Sequence, residues 1–351
     1  MMECKHFLEA ICLVFAGISP FLGVSCRSGS ESSETGIVKI AVVPLPGDTA
    51  FLGYAAQISV VDTMMYLQDN RGGETFLRAY AYPSLKPLCK FVTRGKGPEE
   101  MLAISGYTAD KDSVRVFAAQ EHEMAVYAVS DLCRGINKPV RVIEYPQSCM
   151  PALAFCGVKG GFALQNSSSA YRLTLIDSSG HIQAEKYDIP VSETERKKVQ
   201  PELIPYLWQS VLASDGAVVA VGTKLGDVLE IYDLEDSLRN RVVRGEGGEP
   251  AVLRKGRGMQ MGTISGFYAL DIADGKVYAL FDGSRLADYN GQDAVPRKIF
   301  LRVYDLSTGE LERIYELDRH ISSFDILTDG KTVIATDPNA EHQLCTFTLP
   351  E

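Results

Sequence analysis

Residues 266–281 read GFYALDIADGKVYALF, two apolar segments joined by an Asp-Gly pair at 274–275. Asp-Gly between alternating apolar residues is a strong hairpin signal, because a type I′ turn needs positive φ at both central positions. Two further apolar segments follow, Ile299–Asp305 and Leu311–Glu316. The stretch therefore predicts an antiparallel unit of four short strands.

The same unit recurs along the chain. Asp-Gly turns also occur at 215–216 and 329–330, and weaker turn signals occur at Val61-Asp62-Thr63, Lys111-Asp112 and Lys159-Gly160-Gly161. Neighbouring turns lie roughly 50 to 60 residues apart, a period typical of propeller blades. We therefore expect five complete units, near residues 54–93, 104–145, 151–189, 209–244 and 266–316.

A sixth unit at the C-terminus has only three predicted strands: Ser323–Leu327, Thr332–Thr336 and Gln343–Leu349. One further strand, Ile37–Val43, belongs to no unit of its own. A propeller closes when a strand from one end of the chain completes the blade made by the other end, which leaves no open sheet edge. The sequence thus predicts an all-β fold, a six-bladed β-propeller over 37–351 whose last blade is closed by the N-terminal strand.

The first residues have a different character. Ala10–Leu22 is uncharged and mostly apolar, and it is followed by Gly23-Val24-Ser25-Cys26 and a polar run. An apolar stretch of this length is too short to span a bilayer but suits a signal peptide. We expect residues 1–25 to be a signal peptide, Cys26 to carry a lipid and 26–36 to be a polar tether. A plain secretory signal or a short membrane anchor is the alternative.

Composition limits the classes of function. The formal net charge of −10 argues against nucleic-acid binding, which needs Lys and Arg to neutralise phosphates. Enzyme signatures such as H-E-x-x-H, G-x-S-x-G and a Walker loop are absent from the sequence. No C-x-x-C pair occurs either, so the cysteines beyond Cys26 are expected to be small buried thiols with at most one or two disulfides: Cys89, Cys133, Cys149, Cys156 and Cys345.

Two stretches interrupt the repeat and are expected to be loops on the propeller faces, where function usually resides. Ser192-Glu193-Thr194-Glu195 has the pattern of a capping box, so a short helix is predicted to begin there and to end before Pro201. Leu286–Pro296 is a long polar insertion between two strands of the fifth unit.

A short Gly-rich motif carries a family likeness. Arg94–Glu100, which reads RGKGPEE, resembles the Gly-x-Gly-Pro-x-Glu segment of TolB-like six-bladed propeller lipoproteins of Gram-negative bacteria, and Arg244–Pro250 is similar to a second, degraded copy. The leader, tether and propeller also match the layout of that family. The resemblance implies an exported, lipid-anchored protein of the outer membrane, either periplasmic or surface-exposed, and implies little about its chemistry.

These observations favour a binding or scaffold module, expected to be monomeric, for an envelope protein or a glycan. Binding candidates are Arg94, Lys96, Glu99, Glu121 and His122. Other polar residues expected after second strands, on the same face as Arg94, are Asp69, Asn70, Asn166, Lys224, Asp227, Asp282, Asp337 and His342. No cofactor is predicted. The alternatives are a hydrolase, lactonase or lyase with Ca or Zn in the central channel, and a structural envelope component without a small ligand.

Overall fold

Six antiparallel sheets form the blades of one propeller. A computed structural model describes residues 36–46, 52–118, 120–250, 262–285 and 299–350. Within each blade the strands are neighbours in sequence order, and an N-terminal segment adds a strand to two of the blades. The all-β, six-bladed architecture predicted from the repeat is confirmed.

Every blade begins with the strand nearest the propeller axis. The N-terminal segment and blade one contain β1 (Ile37–Ile40), β2 (Val43–Pro44), β3 (Ala55–Val61), β4 (Met64–Asp69), β5 (Thr75–Ala81) and β6 (Lys86–Thr93). Blades two and three contain β7 (Ile104–Ala109), β8 (Ser113–Ala118), β9 (Glu123–Ala128), β10 (Arg141–Glu144), β11 (Ala152–Val158), β12 (Gly161–Asn166), β13 (Tyr171–Asp177) and β14 (Ile182–Asp188). Blade four contains β15 (Ser210–Ser214), β16 (Val218–Thr223), β17 (Val228–Asp233) and β18 (Arg241–Arg244).

Blade five and blade six complete the ring. Their strands are β19 (Phe267–Ala273), β20 (Lys276–Phe281), β21 (Ile299–Asp305), β22 (Leu311–Leu317), β23 (Ser323–Ile326), β24 (Thr332–Thr336) and β25 (Leu344–Thr348). Short helices lie in the connections: α1 (Val129–Leu132), α2 (Glu193–Arg196), α3 (Ile204–Leu207) and 3-10 turns at Gln147–Cys149, Pro201–Leu203 and Ser237–Arg239.

The innermost strands close into a ring with two faces. Each first strand adjoins the first strand of the next blade, in the order β3, β7, β11, β15, β19, β23 and back to β3. We call the side with the turns between first and second strands the turn face. The crossover face holds the connections between second and third strands and those between blades. Since strands alternate in direction, every first strand runs from the crossover face to the turn face.

Apolar side chains fill the space between neighbouring blades. A buried cluster lies at each of the six interfaces. Central strands are covered on both sides and are therefore apolar on both faces: β4 reads MMYLQD, and all of its residues are buried. The core is thus a set of interblade layers around an open axis.

The N-terminal segment closes the seam as predicted, but in two pieces. β1 pairs in parallel with β22, the outer strand of blade five. Only the two residues of β2 join blade six, antiparallel to β25. Between them, the buried Val42 donates its backbone N–H to the Asp318 carboxylate at 3.0 Å. The predicted strand Ile37–Val43 divides because this contact turns the chain from one blade to the next.

The Asp-Gly turns differ from the expected type I′ geometry at two of three sites. Only at 274–275 do both central residues have positive φ, 49° for Asp274 and 71° for Gly275. At the other two sites the glycine alone has positive φ. There the aspartate side chain accepts backbone N–H groups, as Asp215 does from Val218 at 2.8 Å. The carboxylate organises a longer Asx-type turn, and one left-handed residue is enough.

The predicted capping box is half formed. Ser192 accepts the backbone N–H of Glu195 at 3.3 Å at the start of α2, as expected. The backbone N–H of Ser192 donates instead to Glu249 of the next crossover at 2.9 Å. The contact ties the connection between blades three and four to the Gly-rich segment after blade four.

Some expectations fall outside the described residues. These are the leader 1–25, Cys26, the tether up to residue 35 and the insertion Leu286–Pro296. Across the described ranges, no helix has both the length and the apolar character needed to cross a membrane.

Candidate functional site

An open channel runs along the propeller axis. Its volume is about 750 Å³, within the roughly 300–1,000 Å³ typical of small-molecule sites. The first strands of all six blades line it, and Gln68, Asn70, Arg115 and Lys224 reach it from second strands or the loops after them. Every blade therefore contributes to one shared cavity.

Charged groups are unevenly distributed along this channel. The half near the turn face contains carboxylates and cations: Asp110, Asp215, Asp271, Asp325, Arg115 and Lys159. Arg115 is paired with Asp110 at 2.8 Å. Lys224 follows the end of β16 and so lies near the crossover face, where no other charged residue of the described chain lines the channel. The two ends of the channel thus differ in charge.

Two aspartates from neighbouring first strands form a carboxyl pair in the channel wall. Asp271 of β19 and Asp325 of β23 are hydrogen-bonded to each other. Asp325 also accepts the Val60 N–H at 2.5 Å, and Asp271 accepts the Ile326 N–H at 3.0 Å. Burial raises the pKa of both carboxyls, and the neighbouring Asp271 charge raises the pKa of Asp325 further. The pair therefore shares a proton at pH values where an isolated carboxyl group is ionised.

This pair makes stability depend on pH. A raised folded-state pKa stabilises the fold at low pH, and that contribution is lost as pH rises through the folded pKa. We expect Asp325→Asn to raise the free energy of unfolding at pH 8 by about 1–2 kcal/mol, because the amide donates to Asp271 without a titrating proton. The gain should vanish near pH 4. Urea denaturation across this pH range measures it.

Asp110→Asn is a matched control from the same channel. Although burial raises the pKa of Asp110, the N–H groups of Asp112 and Ser113 and the Arg115 guanidinium together lower it. Its contribution is present at neutral pH and is lost on acidification. Asp110→Asn should therefore reduce stability at neutral pH, and the difference should shrink at low pH. A loss of stability in Asp325→Asn at pH 8 would contradict the shared-proton assignment.

Neutral polar groups line the channel near the crossover face. The side-chain amide of Gln57 is hydrogen-bonded through both of its polar atoms. Its nitrogen donates to the Tyr107 carbonyl at 2.9 Å, and its oxygen accepts the Tyr107 N–H at 3.2 Å. Gln68 donates to Asn70 at 2.8 Å, but its own buried Oε1 has no partner in the described chain. The exposed Ser105 also lines this region. The mouth therefore retains unused hydrogen-bonding capacity.

Arg94 lies outside the residues that line this channel and has a structural role. Its guanidinium stacks on Phe76 at 3.7 Å from the ring centroid and donates to the Asp69 carbonyl at 2.5 Å. A similar arrangement occurs in blade five, where Arg302 stacks on Phe281 and pairs with Asp227 of blade four. Arg94 therefore fixes the crossover after blade one.

The other two crossover candidates are exposed but also lie outside the channel lining. Lys96 is solvent-exposed on the crossover. Glu99 has a φ of 65° and pairs with Lys138 at 2.9 Å. Gly97 donates its N–H to Glu100 at 2.7 Å, which holds the turn together. The motif is therefore a tight blade crossover with Lys96 on its surface.

Glu121 and His122 are half-buried in the loop of blade two. The Glu121 Oε2 is buried without a hydrogen-bond partner among the described residues, and the His122 ring makes an edge contact with Tyr145. Neither residue lines the channel. The structure does not bring them together with Lys96 or Arg94 into one described cavity.

Four of the eight polar residues predicted after second strands are caps of their own loops. Asp69 is fully buried, and its carboxylate accepts the N–H groups of Gly53, Tyr54 and Arg71 and pairs with Arg78. The same backbone-capping role recurs in buried Asn166, Asp282 and Asp337. Asp227 is buried and pairs with Arg302 at 2.8 Å, while His342 is exposed.

Asn70 and Lys224 are therefore the two loop candidates that line the channel. The sequence interpretation missed Asp271 and Asp325. Each is a carboxylate within an apolar first strand, as Leu270-Asp271-Ile272 and Phe324-Asp325-Ile326. A charged residue in the middle of such a strand is the signal that could have found them.

The sequence alone does not decide whether the chain binds a metal ion or forms disulfides. Within the described part of the chain, no group of three or more His, Cys, Asp or Glu side chains could hold a metal ion. The enzyme alternative with a channel Ca or Zn stays a prediction. Five cysteines are free thiols: Cys89, Cys133, Cys149, Cys156 and Cys345. Burial raises the pKa of the Cys156 and Cys345 thiols to about 12.

Known structures share this fold at low sequence identity. A Bacteroides fragilis NCTC 9343 protein, whose name marks it as a predicted exported protein, has a TM-score of 0.56 and 12% identity, with coverage of 92% of this chain and 98% of its own. The Pan2 WD40 domain of Neurospora crassa has a TM-score of 0.52 and 12% identity, with coverage of 90% and 95%. The RRP9 WD40 repeats have a TM-score of 0.51 and 6% identity, with coverage of 88% and 100%. These similarities show the fold alone.

The sequence itself identifies the family. No curated protein matches it. The profile of the TolB-like 6-blade propeller-like family matches residues 37–329, which include the N-terminal strands, five blades and the first strand of the sixth. The chain therefore belongs to the TolB-like 6-blade propeller-like family.

Proposed function

We propose that the chain is an exported, lipid-anchored envelope protein that binds a ligand through its central channel. One observation carries the binding proposal. The channel has a volume of about 750 Å³, and its crossover end is lined by the exposed polar side chains of Asn70, Ser105 and Lys224. Exposed polar groups around a recessed cavity favour a bound polar molecule.

The geometry favours a molecule that enters from the crossover face. Lys224 and Asn70 lie at that end and line the channel, while Lys96 is exposed on the same face. A glycan, or a loop of an envelope protein, would reach these groups without any rearrangement of the blades. We therefore propose the central channel as the binding cavity and its crossover face as the entrance.

Export and anchoring rest on the N-terminal sequence. The apolar segment Ala10–Leu22 precedes Cys26, and a polar run follows it. The B. fragilis protein that shares the fold is itself named as a predicted exported protein. We propose the outer membrane as the site of anchoring, with the propeller as a monomer held at a short distance by the tether.

Cys26→Ala tests the anchor directly. Each buried acyl CH₂ contributes about 0.8 kcal/mol to membrane binding, so loss of the lipidated thiol should remove most of the affinity. In a Gram-negative host, the full chain should fractionate with membranes, and the variant should show at least about a tenfold lower membrane-bound fraction. Quantitative immunoblotting of membrane and soluble fractions measures the change.

Cys12→Ala is the matched control, because it alters a cysteine within the same leader but not the proposed attachment point. It should fractionate like the unaltered chain. Retention of Cys26→Ala in the membrane fraction would refute lipid anchoring through this residue. Release of both variants would point to a general defect in export.

A further inference from the structure

Lys224 is the feature of the channel that the fold explains least. Its ammonium forms no hydrogen bond or ion pair with the residues that the structure describes. The side chain is open to the channel rather than packed into the wall. An ammonium without a partner in a recessed, water-accessible cavity is a ready site for an anionic group.

The groups around the same mouth are neutral. Asn70 and Ser105 are exposed and supply an amide and a hydroxyl. The buried Gln68 donates to the Asn70 side chain at 2.8 Å. Amides and hydroxyls in this arrangement match the alternating donors and acceptors of sugar hydroxyl groups.

The rest of the channel limits how much negative charge a ligand can carry. Towards the turn face the acidic residues Asp110, Asp215, Asp271 and Asp325 outnumber the cations Arg115 and Lys159, even with one proton shared by Asp271 and Asp325. This excess disfavours a second anionic group placed there. A phosphate dianion is normally held by several charged donors or by Arg in bidentate contact, and the crossover end supplies one ammonium. The arrangement fits a ligand with a single carboxylate at one end and hydroxyls along its length.

We infer that the channel binds an acidic sugar from the crossover face, with the carboxylate of the sugar paired to Lys224 and its hydroxyls directed to Asn70 and Ser105. The inference rests on the proposed channel binding and specifies its ligand class. The acidic residues at the turn face orient the sugar, because its carboxylate is excluded from that end.

The test is a binding titration with the full chain purified in mild detergent. Three probes are compared: a disaccharide with a terminal glucuronate, the same disaccharide with a terminal glucose, and inorganic phosphate. We expect the glucuronate probe to bind at least tenfold more tightly than the glucose probe. Lys224→Met should abolish that tenfold preference, which corresponds to about 1.4 kcal/mol, and Lys224→Arg should retain it.

Lys96→Met is the matched control, since it removes an exposed ammonium of the same face that does not line the channel. It should bind the glucuronate probe as the unaltered chain does. Thermal unfolding of all variants checks that each is folded. Tighter binding of phosphate than of the glucuronate probe would overturn the assignment of the ligand class.

The two proposals fail in different ways. Equal binding of both disaccharides, unchanged in Lys224→Met, would overturn the acidic-sugar inference while leaving channel binding intact. If none of the three probes bound, the acidic-sugar inference would also be overturned. That result would not affect the proposed membrane anchoring, because the fractionation of Cys26→Ala tests it separately.

Discussion

Arg172→Met is expected to lower the free energy of unfolding by about 3–5 kcal/mol, the range typical of breaking a buried ion pair from one side. Arg172 and Glu230 join blades three and four and are completely buried. The guanidinium donates to both Glu230 oxygens, at 2.7 and 2.8 Å, and to the Trp208 carbonyl at 2.6 Å. Removing it leaves a buried carboxylate whose remaining partner is the Tyr232 hydroxyl, at 2.6 Å.

The chain contains an intrinsic fluorescent reporter for this measurement. Trp208 is the single tryptophan of the sequence and contacts Arg172, so its emission during urea denaturation follows this interface. The double variant Arg172→Met/Glu230→Gln should recover at least about 1–2 kcal/mol of the loss, because no charge is left unpaired while Tyr232 keeps an acceptor.

An exposed arginine supplies the comparison. Arg239 pairs with Asp233 and Asp236 at the surface, with most of its side chain in solvent. Arg239→Met should change stability by less than about 1 kcal/mol. The Arg172–Glu230 pair would contribute little at this interface if Arg172→Met lost no more stability than Arg239→Met. The same would follow if the loss in Arg172→Met/Glu230→Gln equalled the sum of the losses in its two single variants.

The sequence predicted the blades well because hairpin signals are local. The fifth unit was expected at 266–316, and its sheet contains strands from Phe267 to Leu317. Turn details were less predictable. The sequence Asp-Gly is shared by 215–216, 274–275 and 329–330, yet only one of these turns has positive φ at both residues. The side chain of the aspartate competes with the backbone for the same N–H groups, and loop length decides which geometry results.

The site was harder to predict than the fold, because it is made of residues distant in sequence. Asp271 and Asp325 each stand out within an apolar strand, but the sequence does not show that the two strands meet in the channel wall. The same holds for Arg172 and Glu230, a buried pair outside the channel lining whose members are 58 positions apart. Conversely, the Gly-rich motif predicts Arg94 as a binding residue, but its guanidinium stacks on Phe76 and donates to the Asp69 carbonyl. Sequence pattern located the described blade crossovers and could not tell which polar groups the fold itself uses.

The closing segment leads to the second large expected effect. Ile40 and Val42 are buried, 8% and 2% exposed, in the cluster between blades five and six. Ile40→Ala/Val42→Ala should therefore lower the free energy of unfolding by about 3–6 kcal/mol, from lost apolar burial and the cavities left behind. Urea denaturation, with light scattering to follow aggregation at the opened seam, measures the effect.

The same segment contains a control of identical chemistry. Ile37 and Val43 are 55% and 49% exposed, so Ile37→Ala/Val43→Ala should cost less than about 1 kcal/mol. Both double variants keep the backbone hydrogen bonds that β1 and β2 make with blades five and six. Comparison of the two therefore separates side-chain burial from strand pairing. A small, equal loss in both would mean that pairing alone closes the ring, whereas the expected difference assigns closure to the buried side chains of Ile40 and Val42.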